Sequence, residues 1–284
     1  MNFWVTQKQK IDTQAKTPDH LESLKILAQN DSMNTDLSGK VALVTGGGRD
    51  IGRWIVYALA KAGASVIVNY HSSKSAADET VAKVASFGGR AVAIKADVTQ
   101  AADVNRLLTE GMNAFGGSLD ILVNNAGGLL ARKKLDEMDE AFWDAVMAVN
   151  LKSVFLVSQA ALPYMKPGGT IVNLASLAAR DGGGGGSIAY ATSKGGVLTM
   201  TRGMAKELSA RNIRVNCVSP GLINTTFHDT FTPDNVRKMV AGKTAVGREG
   251  ESEDVANIVA FLASDASAYV NGESVEVNGG LYFV

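Results

Sequence analysis

The sequence predicts an α/β fold: a single domain on a doubly wound sheet of about seven parallel strands, with helices on both faces. Three observations predict it. From Leu37 onward, short apolar, β-branched runs alternate with longer segments of helical periodicity. The first apolar run ends in a glycine-rich turn that opens a helix, the beginning of a strand–helix–strand unit. The chain has 284 residues, 46% of them apolar, which suits one core of ordinary size.

The elements follow in order. Val41–Thr45 is a buried strand, and Trp54, Ile55, Ala58, Leu59 and Ala62 recur at helical spacing until Gly63 closes the helix. Ala64–Asn69 is the second strand. Helix Lys74–Phe87, strand Arg90–Ala96, helix Ala101–Phe115 and strand Leu119–Asn124 continue the alternation. Helices are predicted around Glu140–Met165, then strand Thr170–Ala175, helix Ile188–Ala210 and strand Ile213–Val218. Helix Ser252–Ala263 and strand Ser274–Val277 complete the sheet, and no internal repeat interrupts the domain, taken as residues 37–284. Residues 1–36 read as a polar, flexible N-terminal extension without the apolar core of a signal peptide. Leu21, Leu24, Ile26 and Leu27 predict a short amphipathic helix over Asp19–Gln29, and Met33 offers an alternative start.

The turn after the first strand reads Gly46-Gly47-Gly48-Arg49-Asp50-Ile51-Gly52. Glycines there permit a tight turn and close backbone approach to a pyrophosphate, and the free N–H groups of the following helix bind anionic oxygens. Within a strand–helix–strand unit this is a dinucleotide site. A carboxylate ending the second strand would hold ribose hydroxyls and repel a 2′-phosphate. The chain instead runs Tyr70-His71-Ser72-Ser73-Lys74, with no acid before Asp78, and Arg49 can approach the same end of the adenosine. Hydroxyls with cations suit a phosphate dianion, which selects NADP(H) over NAD(H).

Tyr190 and Lys194 are four residues apart, fourteen after Ser176. On the helix predicted from Ile188, that spacing places phenol and ammonium on one face. A free phenol ionises near pH ~10. The neighbouring cation is expected to lower that value toward neutrality, making Tyr190 a usable acid or base. Ser176, just past an apolar strand, can share a substrate oxygen with the Tyr190 hydroxyl. The trio suits proton transfer at a carbonyl or alcohol oxygen. No histidine lies near Ser176 in sequence to support nucleophilic catalysis.

With these motifs in hand, the chain from about Leu37 onward resembles the short-chain dehydrogenase/reductase family, a Rossmann-type fold. Asp97-Val98 stands where that family places the adenine ring, and Asn124-Asn125-Ala126-Gly127 matches its central-strand motif. Pro220-Gly221, Ile223 and Thr225 match the segment approaching the nicotinamide carboxamide. The resemblance implies that Asn124, Ala126 and Gly127 border the cofactor. It also implies that Tyr190 is the proton donor for carbonyl reduction, Ser176 orients the carbonyl, and Lys194 holds the nicotinamide ribose. Asn150 would be the fourth catalytic residue, anchoring a water; the alternative is that it kinks or caps a helix. The resemblance further implies a homotetramer packed through Leu151–Met165 and Ile188–Ala210, with Ala160, Ala161, Gly195 and Gly196 allowing close approach.

Two positions depart from the family pattern. Asp50 replaces the usual glycine or alanine and is expected to cap the helix and turn aside from the pyrophosphate. The spacing from Ser176 to Tyr190 is one residue longer than usual and contains Gly182–Gly186, a loop expected to border the substrate.

Composition excludes other classes. Net charge is zero, which gives no case for nucleic-acid or anionic-membrane partners. The one cysteine, Cys217, cannot form an internal disulfide, and His20, His71 and His228 are too scattered for a metal site. No apolar stretch is expected to approach the ~20 residues of a membrane span, so the protein reads as cytoplasmic.

The partner is then a small-molecule carbonyl. Leu222–Glu251 is the expected substrate lid, carrying Phe227, His228, Phe231, Arg237 and Lys243. Arg132, Lys133 and Lys134 follow the Asn-Asn-Ala-Gly motif, and Arg180 precedes the glycine run. These cations favour a sugar-derived keto acid or keto-uronate. The alternatives are a 3-oxoacyl thioester, which would need a more apolar lid, and a non-enzymatic dinucleotide sensor, against which the retained tyrosine and lysine argue.

Overall fold

Seven parallel strands form one sheet in the computed structural model, which describes residues 35–284. They are β1 (Val41–Val44), β2 (Ser65–Tyr70), β3 (Arg90–Lys95), β4 (Leu119–Asn124), β5 (Met165–Leu174), β6 (Arg214–Pro220) and β7 (Ser274–Val277). The order is β3-β2-β1-β4-β5-β6-β7, so the chain reverses its direction of travel across the sheet between β1 and β4. In such sheets a crevice opens at the carboxyl ends of the strands at that reversal.

Both faces are covered. The helices α1 (Asp50–Lys61), α2 (Lys74–Ser86) and α10 (Ser252–Ala263) bury Ile55, Leu59, Val84, Val255 and Val259 on one side. On the other lie α3 (Ala101–Phe115), α5 (Ser153–Ala161) and α7 (Ile188–Leu208), contributing Leu107, Leu108, Val157 and Leu208. Strand residues alternate between these clusters: Ala42 and Val44 join the first, Val41 and Leu43 the second. That is why the strands are apolar throughout rather than at every second position.

The stretch predicted as helical around Glu140–Met165 comprises α4 (Glu140–Met147), a π-helical turn (Ala148–Lys152), α5 and a 3-10 turn (Leu162–Tyr164). Its 25 residues, Glu140–Tyr164, reach a hydropathy of 1.5 and are long and apolar enough to cross a membrane by those criteria. This corrects the expectation that no stretch would be. Here Val154, Val157 and Ala161 belong to core clusters, so burial against the sheet accounts for the composition. Three short helices were not predicted: α6 (Ala178–Asp181), α8 (Thr226–Phe231) and α9 (Asp234–Ala241). The expected helix over Asp19–Gln29, His20 and the start at Met33 lie outside the described residues.

Candidate active site

The carboxyl ends of the strands open into a cleft of about 1020 Å³. The glycine turn bounds one side of it. Gly52 is fixed by close approach: a Cβ there would lie 2.2 Å from the Gly46 carbonyl oxygen. The turn is also tied to its surroundings. Asn125 Nδ2 donates to the Thr45 and Gly46 carbonyls at 2.9 and 3.1 Å, and Gly46 N donates to Asn69 Oδ1 at 3.2 Å. The Gly48 carbonyl accepts from Arg53 Nε and the buried Thr80 hydroxyl, both at 3.1 Å.

Gly46, Gly48, Arg49, Asp50, Ile51 and Gly52 line the cleft, as do Tyr70, Ser72, Ser73, Asp97 and Val98. So do Ala126, Gly127, Pro220, Gly221, Ile223 and Thr225. These residues fit a dinucleotide: a cradle too tight for side chains at its base and a hydroxyl-lined end near Tyr70–Ser73 without a carboxylate. The Asp97 carboxylate is occupied locally, accepting from Thr99 N and Oγ1 at 2.9 and 2.7 Å. Lys74 pairs with Asp78 at 2.6 Å and Arg49 with Asp50 at a looser 3.8 Å, and of the two cations it is Arg49 that lines the cleft.

The expectations for Asn124 and Asp50 need correction. The Asn124 side chain does not line the cleft; it is buried, with Nδ2 donating to Ser158 Oγ and Asn173 Oδ1 at 3.0 and 2.9 Å. Its neighbour Asn125 faces the cleft instead, because successive side chains at a strand end point to opposite sides. Asn150 is fully buried in the π-helical turn, and its amide is spent within the protein. Nδ2 donates to the Gly128 and Val146 carbonyls at 2.8 and 2.9 Å, and Oδ1 accepts from Gly128 N at 2.9 Å. Its side chain therefore holds the loop after Gly127 at the π-helical break in the helix. Asp50 does not cap α1: Arg49 is the N-cap, and the Asp50 carboxylate reaches across to Thr226.

Ser176, Tyr190 and Lys194 all line the cleft. The Ser176 hydroxyl accepts from Ala178 N at 3.1 Å, which fixes it at the start of α6. Tyr190 and Lys194 stand one turn apart on α7, with Lys194 Nζ 5.8 Å from the Tyr190 ring centroid. Lys194 is buried, and its ammonium donates to the Leu174 carbonyl at 2.6 Å. Burial brings its pKa down to about 8. Burial pushes the Tyr190 phenol up, and its hydrogen bond with Ser176 opposes that. Lys194 is therefore not what opposes the desolvation of Tyr190, contrary to expectation; Ser176 is.

The lid presents aromatic rings. Phe227 lies 5.9 Å from Tyr190 and 5.3 Å from Phe231, centroid to centroid, and His228 packs edge-on to Phe227. Desolvation lowers the His228 pKa to about 4, so it is neutral at physiological pH. These aromatic contacts were not foreseen, although the residues were placed on the lid. The cations are mostly occupied. Arg180 pairs with Glu276 at 3.0 Å, and Arg237 with Asp229 and Glu249, both at 2.6 Å. Arg132 borders the cleft and donates to the Phe231 and Gly185 carbonyls at 2.9 and 2.8 Å, fastening the lid and the glycine loop. Gly183 and Gly184 border the cleft, as expected of that loop. Among the described residues no group of acidic, histidine or cysteine side chains could hold a metal.

A family model described as enoyl-(acyl carrier protein) reductase matches residues 46–282. The chain is 38% identical over 266 residues to a hydroxynaphthalene reductase-like protein of Metarhizium guizhouense, covering 89% of this chain and 99% of that one. It is 41% identical over 245 residues to the 3-oxoacyl-(acyl-carrier-protein) reductase FabG of Staphylococcus aureus, covering 86% and 98%. A Burkholderia cenocepacia short-chain dehydrogenase solved in complex with NADP superposes with a TM-score of 0.80 at 37% identity, over 86% of this chain and 98% of that one. The chain belongs to the short-chain dehydrogenase/reductase family of oxidoreductases, which act on small molecules with a nicotinamide dinucleotide.

Proposed function

We propose that the protein reduces a carbonyl to an alcohol with NADPH. The observation that carries this reading is the convergence of Ser176, Tyr190 and Lys194 on one cleft with the glycine turn and the carboxylate-free Tyr70–Ser73 end. NADPH, when bound, supplies the hydride. The Ser176 hydroxyl holds the carbonyl oxygen, and Tyr190 gives that oxygen its proton. Lys194, mostly an ammonium at neutral pH, offsets the negative charge left on the phenol. Arg49 and Ser72 select the 2′-phosphate.

For the substrate, the lid geometry favours a ketone with an apolar or aromatic body over the keto-uronate expected from the cations. Phe227 and Phe231 give the cleft an aromatic wall beside Tyr190, while Arg180 and Arg237 are neutralised by carboxylates. The name of the Metarhizium relative agrees with such a body. A 3-oxoacyl thioester is the second reading, supported by the name of the Staphylococcus relative and by the same apolar wall.

The test is consumption of NADPH and NADH by the purified protein with an aryl ketone, an acetoacetyl thioester and a keto-uronate. Turnover with NADPH, highest kcat/KM on the aryl ketone and least on the keto-uronate, is expected. Reduction of the keto-uronate alone would reverse the substrate reading, and no turnover with any carbonyl would remove the function.

A further inference from the structure

Asp50 holds a left-handed backbone conformation, which few non-glycine residues adopt and which Asp and Asn tolerate best. Its φ of 49° lies in the left-handed region, which among the described non-glycine residues only Leu130 and Asn212 share. A glycine in this turn would have no side chain to form a tether. Asp50 forms one. Its Oδ1 accepts from Thr226 N at 3.1 Å and its Oδ2 from Thr226 Oγ1 at 2.6 Å, a contact spanning 176 positions. Thr226 is the first residue of the lid helix α8 and lines the cleft beside Thr225 and Phe227. The lid's far end is held separately, by Arg132 Nε on the Phe231 carbonyl.

Two neighbouring donors on Thr226, one N–H and one O–H, thus grip a carboxylate on the rim of the pyrophosphate cradle. We propose that Asp50 is an internal anion that latches the lid to the glycine turn before the cofactor arrives, and that the cofactor's pyrophosphate displaces it from Thr226. The inference rests on the dinucleotide reading of the cleft. It makes Asp50 a positioning residue with two opposed effects. It orders α8 in the free protein, and it weakens cofactor binding, because its charge faces the incoming phosphates and the latch must open.

The test uses the whole protein and two readouts. Amide hydrogen exchange of the segment 226–231 is measured without cofactor, and NADPH affinity is measured by fluorescence titration, for wild type, Asp50→Gly, Asp50→Asn and Thr226→Val. Asp50→Gly suits the left-handed turn and should fold. It is expected to speed exchange of α8 and to tighten NADPH binding by roughly fivefold to tenfold, the effect of removing one partly solvated charge beside an anion. Asp50→Asn, neutral but able to accept one bond, should tighten binding with a smaller gain in exchange. Thr226→Val should speed exchange without tightening binding, since it loses a donor and keeps the charge. Unchanged α8 exchange in Asp50→Gly would overturn the latch. NADPH binding no tighter in either Asp50 variant would overturn the displacement. A wild-type protein that binds neither NADPH nor NADH would strike the dinucleotide reading itself, whereas the exchange comparison judges the latch with no cofactor present.

Discussion

Lys194 and Tyr190 are perturbed in opposite directions by the same packing: desolvation lowers the ammonium to about 8 and raises the phenol. In the reductive direction the reactive form carries both protons. We therefore expect kcat/KM for carbonyl reduction to fall as pH rises through about 8, with Lys194 losing its charge before Tyr190 does. A profile flat to the high end of the measurable range would remove Lys194 from this role. At the other end of the cleft, Arg49 and Ser72 replaced together by alanine should abolish the preference for NADPH, as judged by the ratio of kcat/KM for the two cofactors. Equal efficiency of wild type with both would refute the phosphate site. At this scale Ser176, Tyr190 and Lys194 were legible because an i,i+4 pair on a helix fixes its own geometry. The Asn124 side chain and the Asp50 cap were not legible, because residue type does not reveal which way a side chain turns at a strand end or a left-handed turn residue.

The lid and its supports were legible as a segment but not as elements. Leu222–Glu251 lacks a long apolar stripe, so the short helices α8 and α9 draw their order from polar ties, chiefly Arg237 to Asp229 and Glu249. The role expected for Arg180 failed for a related reason: Glu276 is 96 positions away, and only the sheet brings β7 beside α6. This pair predicts a stability effect. Arg180→Ala leaves the largely buried Glu276 without its cation, with only Ser274 Oγ still donating to Oε1 at 3.3 Å, and its Oε2 already has no hydrogen-bond partner. We expect a loss of about 2–3 kcal/mol in denaturant unfolding, with the KM for a keto-uronate unmoved. An unchanged midpoint with a raised KM for the acidic substrate would return Arg180 to the substrate.

For the whole molecule, the alternation of apolar runs and helical segments foretold all seven strands, which are parallel throughout the sheet. Assembly was less legible. Ala161 is fully buried, and a Cβ on Gly196 would strike Leu151 at 2.8 Å, so these two small residues pack inward. Gly195 is open and Phe155 is exposed on the neighbouring helix. We propose a homotetramer through these helices, and light scattering at micromolar concentration should return four chains; a monomer would contradict it. His228 adds a pH dependence of folding. Its folded pKa of about 4 lies below the 6.5 of the unfolded side chain, so the unfolded state binds the extra proton and stability falls as pH drops from 6.5 toward 4. His228→Gln should flatten that limb of the unfolding midpoint. What the fold assembles converges on one proton at the Tyr190 hydroxyl. The decisive measurement is NADPH oxidation by wild type and Tyr190→Phe on the same ketone, with NADPH affinity measured for each. We expect the variant to bind NADPH as wild type does and to lose at least about a hundredfold in kcat; a variant retaining more than about a tenth of the wild-type rate would contradict Tyr190 as the proton donor.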